Sequence, residues 1–540
     1  MIELFTAKSG APSLKVDGVA MHSPYDPTRE AARFVRETFG TERPSTVIVL
    51  GECVGHVAAA VTRLLPGAFV VAAVYSEEIA RAAPLHAALS WSPGDPLTFA
   101  DFLRVHLDEL QIEGLRVLEW PPAARAFPAI SRAANEALRQ VVQELNGSFV
   151  TMVAAGRIWI RNSLANFLHV PRVLAGTLCA PGRPVVIAAP GPSLEEAGPV
   201  LSEARSLFEL WALPSSCPFL MDSGLIPDLV VMTDPGFYSM HHLHFAAPPC
   251  PLAMPLSASR GCWSLPAGGK HPGSPVFLLE QPVLFEKALL EAAGVAAPII
   301  PPHGTVAATA INLALAFTSG PVIVAGLDMA ARDLRSHARP NAFDRLLHLQ
   351  ASRLEPHASL TFHRAAALGS TIGSSASGLR ITPALHTYAG WFDADPGGAT
   401  GRVHRLLPSA VPIRSMSPLD ARGLRELLSG MKATRRGTDL GTNPHFPSAD
   451  ERRGIASRLL KSWTSEIAAA RESITGSGIA TDLERFPQAL AFAHFIVPRR
   501  LVDALKKSRL GQGTAAWNVV GEMLTECVSF LDALGEKTVG

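Results

Sequence analysis

The chain has 540 residues, of which 48% are hydrophobic and 18% are charged, and its formal net charge at pH 7 is +1. A chain of this length and composition can form three or four globular domains with sizeable cores. Because the charges balance, the composition excludes partners that are recognised through a strong overall field, such as nucleic acid or an anionic membrane.

The cysteines and the apolar stretches indicate a cytoplasmic protein without a membrane span. The six cysteines are scattered and form no Cys-x-x-Cys pair, so free thiols in a reducing compartment are expected rather than a metal site or a disulfide framework. Residues 1–20 contain Glu3, Lys8 and Asp17 and lack the apolar run of a signal peptide. The longest apolar stretch, Val295–Ala331, is interrupted by prolines and polar residues and is not expected to cross a bilayer.

The first elements in chain order form a βαβ unit. A β-branched run at Thr46–Leu50 is followed by a turn at Gly51–Gly55, a helical pattern at Val57–Leu65 and a second strand at Phe69–Val74. The acidic residue expected at the end of the second strand, to hold a ribose, is absent, and Val74-Tyr75-Ser76 stands there instead. We therefore expect a smaller N-terminal α/β, Rossmann-like domain over residues 1–150 that organises structure or the acceptor rather than binding a cofactor.

A helical stretch then leads towards the centre of the chain. The pattern predicts a helix over about Ala129–Leu145 and a stop at Asn146–Gly147. The following segment, with Trp159, Asn162 and Asn166, is interpreted as a connector.

The centre, over about residues 155–415, alternates apolar strands with helices. Its short runs with β-branched residues are typical of buried parallel strands. These runs are Val185–Ala189, Leu229–Met232, Val276–Leu279 and Val322–Ala325. Their spacing predicts a doubly wound, Rossmann-like sheet.

The tail is predicted to be a helical domain over residues 440–540. Ser448–Glu451 is a capping box, and apolar residues follow it at four-residue spacing. The Gly/Ser-rich stretch Gly369–Gly378 is interpreted as a loop, and Arg435–Pro447 as a linker.

The first candidate site is the turn Gly191-Pro192-Ser193, between the strand Val185–Ala189 and the next helix. Backbone N–H groups at a helix N-terminus bind phosphate, and the Ser193 hydroxyl can add a donor. The alternative interpretation is an ordinary turn in which Ser193 caps the helix.

Further polar groups follow the other strands. Asp234 and Asp328 come directly after predicted strands, Asp328 preceded by Gly326, while Gly304 and Thr305 begin a small-residue helix. Because the carboxyl ends of parallel strands share one edge of a sheet, we expect these groups to meet there. The alternative for Asp234 is a common Asp-Pro turn.

His337 is the candidate general base, because its loop follows Asp328 at the same edge of the sheet. His303 is the rival, since it directly precedes Gly304. The chain contains no Walker A, His-Glu-x-x-His or Gly-x-Ser-x-Gly motif, so P-loop, zinc-hydrolase and α/β-hydrolase mechanisms have no support.

Taken together and in this order, the central motifs resemble those of the Maf proteins, the motility-associated flagellin glycosyltransferases. The motifs that carry the resemblance are Trp159–Asn166, Val185–Leu194, Pro227–Pro235, Gly304–Ala316, Gly326–Ala330 with Ser336–Ala338, and Thr382–Phe392. They cover about residues 155–415.

This resemblance implies a central sheet of the sialyltransferase-like type. It also implies that the donor is a CMP-activated nonulosonic (sialic-acid-like) sugar and that the acceptor is a Ser or Thr hydroxyl of flagellin. The implied role is to support flagellar assembly and motility. The same domain family includes archaeal MptE-like enzymes that pyrophosphorylate 6-hydroxymethyl dihydropterin. A pyrophosphokinase that uses ATP and Mg²⁺ is therefore the alternative.

The resemblance also distributes roles among the candidate residues. The expected donor-binding residues are Gly191, Pro192, Ser193, Asp234, Gly304, Thr305 and Gly326, and the expected catalytic residues are His337 and Asp328. No cofactor and no metal are expected for the glycosyltransferase, whose partners are the nucleotide-sugar donor and flagellin.

Two positions depart from the family's pattern. Pro190 stands where the related sialyltransferases carry Asn, and Leu327 stands where Maf proteins usually have Gln. If these changes remove donor contacts, a third possibility is a non-catalytic assembly factor that binds flagellin.

Overall fold

The computed structural model describes most of the chain. The described residues are 1–82, 89–264, 273–281, 283–300, 304–367, 372–374, 379–394, 401–431, 439–474, 479–509 and 512–538. By packing, the chain divides into two compact units, residues 1–156 with 463–530 and residues 157–462 with 531–540. The expected division into 1–150, 155–415 and 440–540 stays a prediction.

Strands and helices alternate along most of the chain. The strands are β1 (Ile2–Thr6), β2 (Pro12–Val16), β3 (Val19–Ala20), β4 (Thr46–Glu52), β5 (Phe69–Val74), β6 (Leu89–Trp91), β7 (Leu115–Glu119), β8 (Val173–Thr177), β9 (Val185–Ala188), β10 (Glu209–Ala212), β11 (Leu229–Val231), β12 (Leu252–Pro255), β13 (Val276–Leu279), β14 (Val322–Ala325), β15 (Ala331–Arg332), β16 (Ile372–Ser374), β17 (Leu379–Ile381), β18 (Val403–Leu406), β19 (Ser417–Leu419) and β20 (Asp439–Thr442). The helices are α1 (Pro27–Phe39), α2 (His56–Leu64), α3 (Glu77–Ala82), α4 (Phe99–His106), α5 (Pro121–Ala126), α6 (Pro128–His169), α7 (Ser193–Glu203), α8 (Cys217–Asp222), α9 (Phe237–Ala246), α10 (Leu284–Ala292), α11 (Val306–Phe317), α12 (Ala342–Gln350), α13 (His357–Ala367), α14 (Pro383–Ala394), α15 (Ala421–Ser429), α16 (Ala449–Ser473), α17 (Ile479–Glu484), α18 (Pro487–Ile496), α19 (Pro498–Arg509) and α20 (Gly513–Thr538).

The first unit contains the predicted βαβ arrangement. Its parallel sheet has the order β6-β5-β4-β7, and β1, β2 and β3 form a small antiparallel sheet. At the turn between β4 and α2, the buried carboxylate of Glu52 accepts N–H groups from Cys53, Gly55 and Ala58 at 2.7–3.1 Å. The chain therefore fills this helix N-terminus, the usual place for a phosphate, with its own anion.

The predicted stop at Asn146–Gly147 is wrong, because α6 runs without a break from Pro128 to His169. The segment interpreted as a connector is thus helical. Its continuation buries Ile160, Leu164 and Phe167. Burial of such side chains contributes about 1.5–3 kcal/mol each, which outweighs the cost of about 1 kcal/mol for one glycine in a helix.

The second unit is built on the predicted doubly wound sheet. Within the described residues its strands have the order β19-β18-β14-β9-β10-β11-β12-β13-β8-β20, and each neighbouring pair except β8–β20 is parallel. From β9 the chain proceeds outwards through β10 to β13, whereas β14 lies on the other side of β9. The order of the strands therefore reverses between β9 and β14.

The tail is helical as predicted, and Ser448 and Glu451 form the reciprocal bonds of a capping box at the start of α16. The linker interpretation of Arg435–Pro447 is wrong in part, since Asp439–Thr442 is β20 and pairs with β8. Within Gly369–Gly378, Ile372–Ser374 is a strand, and the rest of that stretch lies outside the described residues.

All six cysteines are free and buried. Burial raises the pKa of the Cys179, Cys250 and Cys262 thiols to about 12. Among the described helices, none combines the length and the apolar character that crossing a membrane requires.

Candidate functional site

The candidate site is a cavity of about 330 Å³ at the carboxyl ends of β9 and β14, where the strand order reverses. We call it the switch-point cavity. It is lined by residues that follow four strands and by parts of α9, α11, α14 and the loop around His337. Ligands of doubly wound sheets bind at such points, and this volume lies in the range of small-molecule pockets.

Two glycines let the turns after β9 and β14 approach each other. The N–H of Gly191 donates to the carbonyl of Gly326 at 2.8 Å. A Cβ on Gly191 would lie well under 3.0 Å from that carbonyl oxygen. Gly326 has a φ of +74°, and a Cβ there would collide with the carbonyl of Ala189. These positions therefore require glycine.

Ser193 and Asp328 bind each other at the cavity, which Asp328 also lines. The N–H and the hydroxyl of Ser193 donate to the Asp328 carboxylate at 2.8 and 2.5 Å, and the N–H of Ala410 donates to it at 3.3 Å. Both side chains are buried. The carboxylate thus joins the β9 turn to the β14 turn, and the hydroxyl is directed to Asp328 rather than to the cavity.

The next N–H groups of α7 are also occupied. The N–H of Leu194 donates to Gly191 and that of Glu195 donates to Pro192, at 3.0 and 3.2 Å. Asp328 therefore takes the place at this helix N-terminus where a phosphate was expected. The roles of Pro192 and Ser193 as donor ligands and of Asp328 as a catalytic residue stay predictions.

The N-terminus of α11 also lies at the cavity, but its first N–H groups differ from those of α7 in their hydrogen bonding. Thr305 caps this helix through its hydroxyl, which accepts the N–H of Ala308 at 3.2 Å. Thr305, Val306 and Ala307 all line the cavity. Among the described residues, the N–H groups of Val306 and Ala307 have no hydrogen-bond acceptor, as is usual at a helix start. They are available to an anion.

The loop that carries His337 is fixed to the β9 turn and to α7. The N–H of Ala338 donates to the carbonyl of Pro190 at 2.7 Å. Arg335 forms an ion pair with Glu195 at 3.2 Å. These contacts hold His337 at the cavity wall.

The His337 ring is oriented and neutral. Its Nδ1 lies 2.8 Å from the hydroxyl of Ser336, whereas no described residue bonds to its Nε2. Burial, together with the charge of Arg364, lowers the pKa of His337 to about 4. The imidazole is therefore unprotonated at pH 7 and can accept a proton.

His242 is a site residue that the sequence analysis missed. It lies on α9, lines the cavity, and its ring centroid is 6.2 Å from that of His337. Its Nδ1 is buried without a partner, and burial lowers its pKa to about 3. Tyr238, four residues earlier, also lines the cavity. The four-residue spacing of Tyr238 and His242, directly after Asp234, was the sequence signal that could have indicated His242 as a site residue.

Two asparagines on α6 reach the carboxyl edge of the central sheet through their side-chain amides. The amide of Asn162 donates to the carbonyls of Pro235 and Ser257 at 3.1 and 3.2 Å. That of Asn166 donates to the carbonyls on either side of Ser257, both at 2.8 Å.

These bonds hold the loop after β12 at the edge of the sheet. The buried carboxylate of Glu286 accepts two N–H groups of the same loop, and burial raises its pKa to about 7. Asn162 and Asn166 thus hold the loops after β11 and β12, and the first of these loops carries Asp234.

The structure brings most of the predicted site residues together. Those that line the cavity are Gly191, Asp234, Thr305, Gly326, Asp328 and His337. Gly304 lies beside the ring of Tyr388, which lines the cavity. His303 lies outside the described residues, and within them no group of three or more His, Cys, Asp or Glu side chains could hold a metal.

The two departures from the family pattern act through their main chains. Pro190 accepts a hydrogen bond from Ala338, and Leu327 accepts one from the Ser409 hydroxyl at 2.7 Å. Any residue would offer these carbonyls. Both residues also line the cavity, where their side chains present apolar surface.

Comparisons with known proteins agree with this architecture. Residues 161–333 match a family model described as 6-hydroxymethylpterin diphosphokinase MptE-like. The solved structure of MAf glycosyltransferase from Magnetospirillum magneticum AMB-1 is similar in fold, with a TM-score of 0.59 and 13% identity over 99% of this chain and 92% of that chain. The resemblance to Maf and MptE-like proteins and the predicted α/β fold are confirmed.

Two proteins of Treponema pallidum (strain Nichols), both described as uncharacterized, are similar in sequence. One is 25% identical over 312 residues, which are 58% of this chain and 64% of that protein. The other is 25% identical over 126 residues, which are 22% of this chain and 57% of that protein. The matched parts span less than two thirds of either relative.

Proposed function

We propose that this protein is a glycosyltransferase that binds a nucleotide-activated sugar in the switch-point cavity and transfers the sugar to a hydroxyl group. One observation carries the proposal. The cavity brings together Asp234, Thr305 and His337, from three separate segments of the chain, around the point where doubly wound sheets bind nucleotides. The fold similarity to a MAf glycosyltransferase supports it.

In the proposed reaction, the acceptor hydroxyl oxygen attacks the anomeric carbon, and the bond from that carbon to the phosphate oxygen breaks. The nucleotide leaves with the bonding electron pair, and the configuration is inverted. Nε2 of His337 accepts the hydroxyl proton, while Ser336 orients the ring. The N–H groups of Val306 and Ala307, which have no acceptor in the part of the chain that the structure describes, stabilise the negative charge on the leaving phosphate.

Within this proposal, the donor is a CMP-activated nonulosonic acid and the acceptor is a Ser or Thr of flagellin. The order and content of the central motifs support both assignments. The protein needs no cofactor or metal for this reaction, because CMP is already a good leaving group.

The direct test offers the protein CMP-N-acetylneuraminate with flagellin and follows the release of CMP. We expect release by the wild-type protein, and a turnover about 10²–10⁴-fold lower for His337→Gln with unchanged donor affinity. His445→Gln, an exposed histidine outside the cavity, is the control. A His337→Gln protein with wild-type turnover would exclude His337 as the base.

A pyrophosphokinase is the second candidate, because the matching family model is named for that reaction. Here the hydroxymethyl oxygen of the pterin would attack the β-phosphorus of ATP and release AMP. Mg²⁺ is usually held by one or two carboxylates and by substrate phosphates. Asp234 is the cavity carboxylate that could serve, since Asp328 is bound to Ser193.

The two candidates differ in their products. Release of AMP from ATP and pterin, without release of CMP from the CMP-sugar, would favour the pyrophosphokinase. In cells, removal of a flagellin glycosyltransferase should leave flagellin lighter by whole sugar units, which intact-protein mass spectrometry measures. Unchanged flagellin masses with only an assembly defect would favour a non-catalytic assembly factor.

A further inference from the structure

The guanidinium of Arg364 lies next to an aromatic residue that lines the switch-point cavity. The guanidinium of Arg364, on α13, stacks 3.7 Å from the ring centroid of Phe343. The same ring contacts His337 and His242, with centroid distances of 5.1 and 4.8 Å. Phe343 and both histidines line the cavity.

Arg364 forms no ion pair and no hydrogen bond with an anion among the described residues; the nearby Asp344, which is paired with Arg339, acts on it only through its charge. Its side chain is half-buried, and the loss of water around it lowers the pKa of the guanidinium. Neighbouring arginines at the same wall are paired: Arg335 with Glu195, and Arg339 with Asp344 at 2.6 Å. An anion would stabilise this cation, because partial burial penalises the charge.

The surroundings of Arg364 provide space for a partner. A small cavity of about 30 Å³ lies beside it. Its lining includes Arg364, Ser336, His337 and Phe343, together with the paired residues Arg335, Arg339 and Asp344. Ser336, His337 and Phe343 also line the switch-point cavity. The two cavities therefore have three lining residues in common, which places Arg364 next to the lining of the larger one.

The larger cavity itself lacks a cation. No Lys or Arg stands among its described lining residues. The N–H groups at the start of α7 are already bound to Asp328, Gly191 and Pro192. A substrate that bears phosphate or carboxylate would thus meet N–H groups at α11 but no positive side chain, unless Arg364 supplies it.

We propose that Arg364 binds an oxyanion of the substrate, either the phosphate of the nucleotide or the carboxylate of the transferred acidic sugar. Identification of the substrate as a nucleotide rests on the proposed function; the oxyanion chemistry of Arg364 does not. A guanidinium offers paired donors that match both groups. Burial keeps both cavity imidazoles neutral, and the charge of Arg364 lowers their pKa values further, so the histidines add no competing positive charge.

The test measures ligand affinity by calorimetry for the wild-type protein, Arg364→Gln and Arg364→Lys. Arg345→Gln is the matched control, because that guanidinium also stacks on a phenylalanine, Phe245, but lines neither cavity. The ligands are cytidine, CMP and CMP-N-acetylneuraminate. Melting temperatures confirm that each variant is folded.

We expect Arg364→Gln to weaken binding of the anionic ligand at least tenfold, Arg364→Lys to restore part of it, and cytidine binding to be unchanged. Weaker binding of CMP itself identifies the phosphate as the partner. Unchanged CMP binding with weaker binding of the CMP-sugar identifies the carboxylate. Equal affinities for all three ligands in the wild-type and Arg364→Gln proteins would overturn the proposal.

Inorganic pyrophosphate separates this proposal from the proposed function. If the wild-type protein binds no cytidine compound, the glycosyltransferase assignment fails. Arg364 is still tested by pyrophosphate, whose affinity should fall at least tenfold in Arg364→Gln but not in Arg345→Gln. Two outcomes overturn the Arg364 proposal. The first is equal pyrophosphate affinity in the wild-type and Arg364→Gln proteins. The second is that the wild-type protein binds no pyrophosphate and that Arg364→Gln binds nucleotide as the wild-type protein does.

Discussion

Among the individual residues, Ser193 and Asp328 connect two turns that must stay in register for the cavity to exist. A buried carboxylate that accepts three hydrogen bonds needs all its donors, because an unsatisfied buried charge is costly. This arrangement joins the turn after β9 to the turn after β14.

The variant Ser193→Ala should therefore lower the free energy of unfolding by about 1.5–3 kcal/mol, the usual value for a hydrogen bond to a charged group. Chemical denaturation measures it. Ser163→Ala is the matched control, since the Ser163 hydroxyl is equally buried but has no partner among the described residues, and its removal should be nearly neutral. Unchanged stability of Ser193→Ala with weaker CMP binding would instead make Ser193 a phosphate ligand.

The two cavity histidines make stability depend on pH. Their pKa values, about 3 for His242 and about 4 for His337, lie below the value of about 6.5 in an unfolded chain. Between pH 6.5 and 4 the unfolded chain therefore binds more protons, so stability falls as the pH falls through this window.

For His242 alone the expected loss between pH 6.5 and 5 is about 2 kcal/mol. Denaturation of the wild-type protein and of His242→Gln at both pH values tests this, and the variant should show the smaller difference. The same pH dependence in both proteins would show that His242 is not responsible.

Among the strands and helices, those of the central sheet were predictable where the strands are apolar throughout. β9, β11, β13 and β14 were located because each is a short run of buried β-branched and aliphatic residues. β10 was not predicted, because it begins with the charged residue Glu209. In the structure Arg183 balances this charge at 2.6 Å, and the two residues are not neighbours in the sequence.

The candidate site, too, could be predicted from the sequence only in part. Strand-end residues such as Asp234 and Asp328 could be predicted, because parallel strands end at one edge. The hydrogen bonds between Ser193 and Asp328 could not be predicted, because they depend on how two turns from distant parts of the chain meet. The place of Arg364 could not be predicted either, since it depends on a contact with Phe343 on a neighbouring helix. For His242, the helical spacing after Asp234 was the signal that the prediction did not use.

The close approach of the β9 and β14 turns can be tested at Gly326. Gly326→Ala adds a Cβ at a positive φ, which costs about 1–2 kcal/mol, and forces it against the Ala189 carbonyl. Denaturation should show a loss larger than the φ effect alone. Gly390→Ala, in α14 with open space around it, should be neutral or stabilising.

For the molecule as a whole, the C-terminal helices and the N-terminal α/β region pack as one unit. Gly156 in α6 lies so close to the Phe495 carbonyl in α18 that a Cβ would collide with it. Residues more than three hundred positions apart thus stabilise each other, and the two ends of the chain should unfold together.

Gly156→Val should separate α18 from α6 and raise amide hydrogen exchange in α17, α18 and α19, with a lower melting temperature. Gly147→Ala, in the same helix with nothing near it, is the control and should not change exchange in these helices. Raised exchange confined to α6 would mean that the tail is stable on its own.

The six buried cysteines have a practical consequence for fluorescence work. Maleimides react with thiolates at the protein surface, and buried thiols with raised pKa values form few of them. A single cysteine introduced at Ser352, an exposed position after α12, would therefore be the preferred labelling site in the native chain. A dye there would sit on the helical hairpin that carries Arg364 and could report ligand binding without prior removal of any native cysteine.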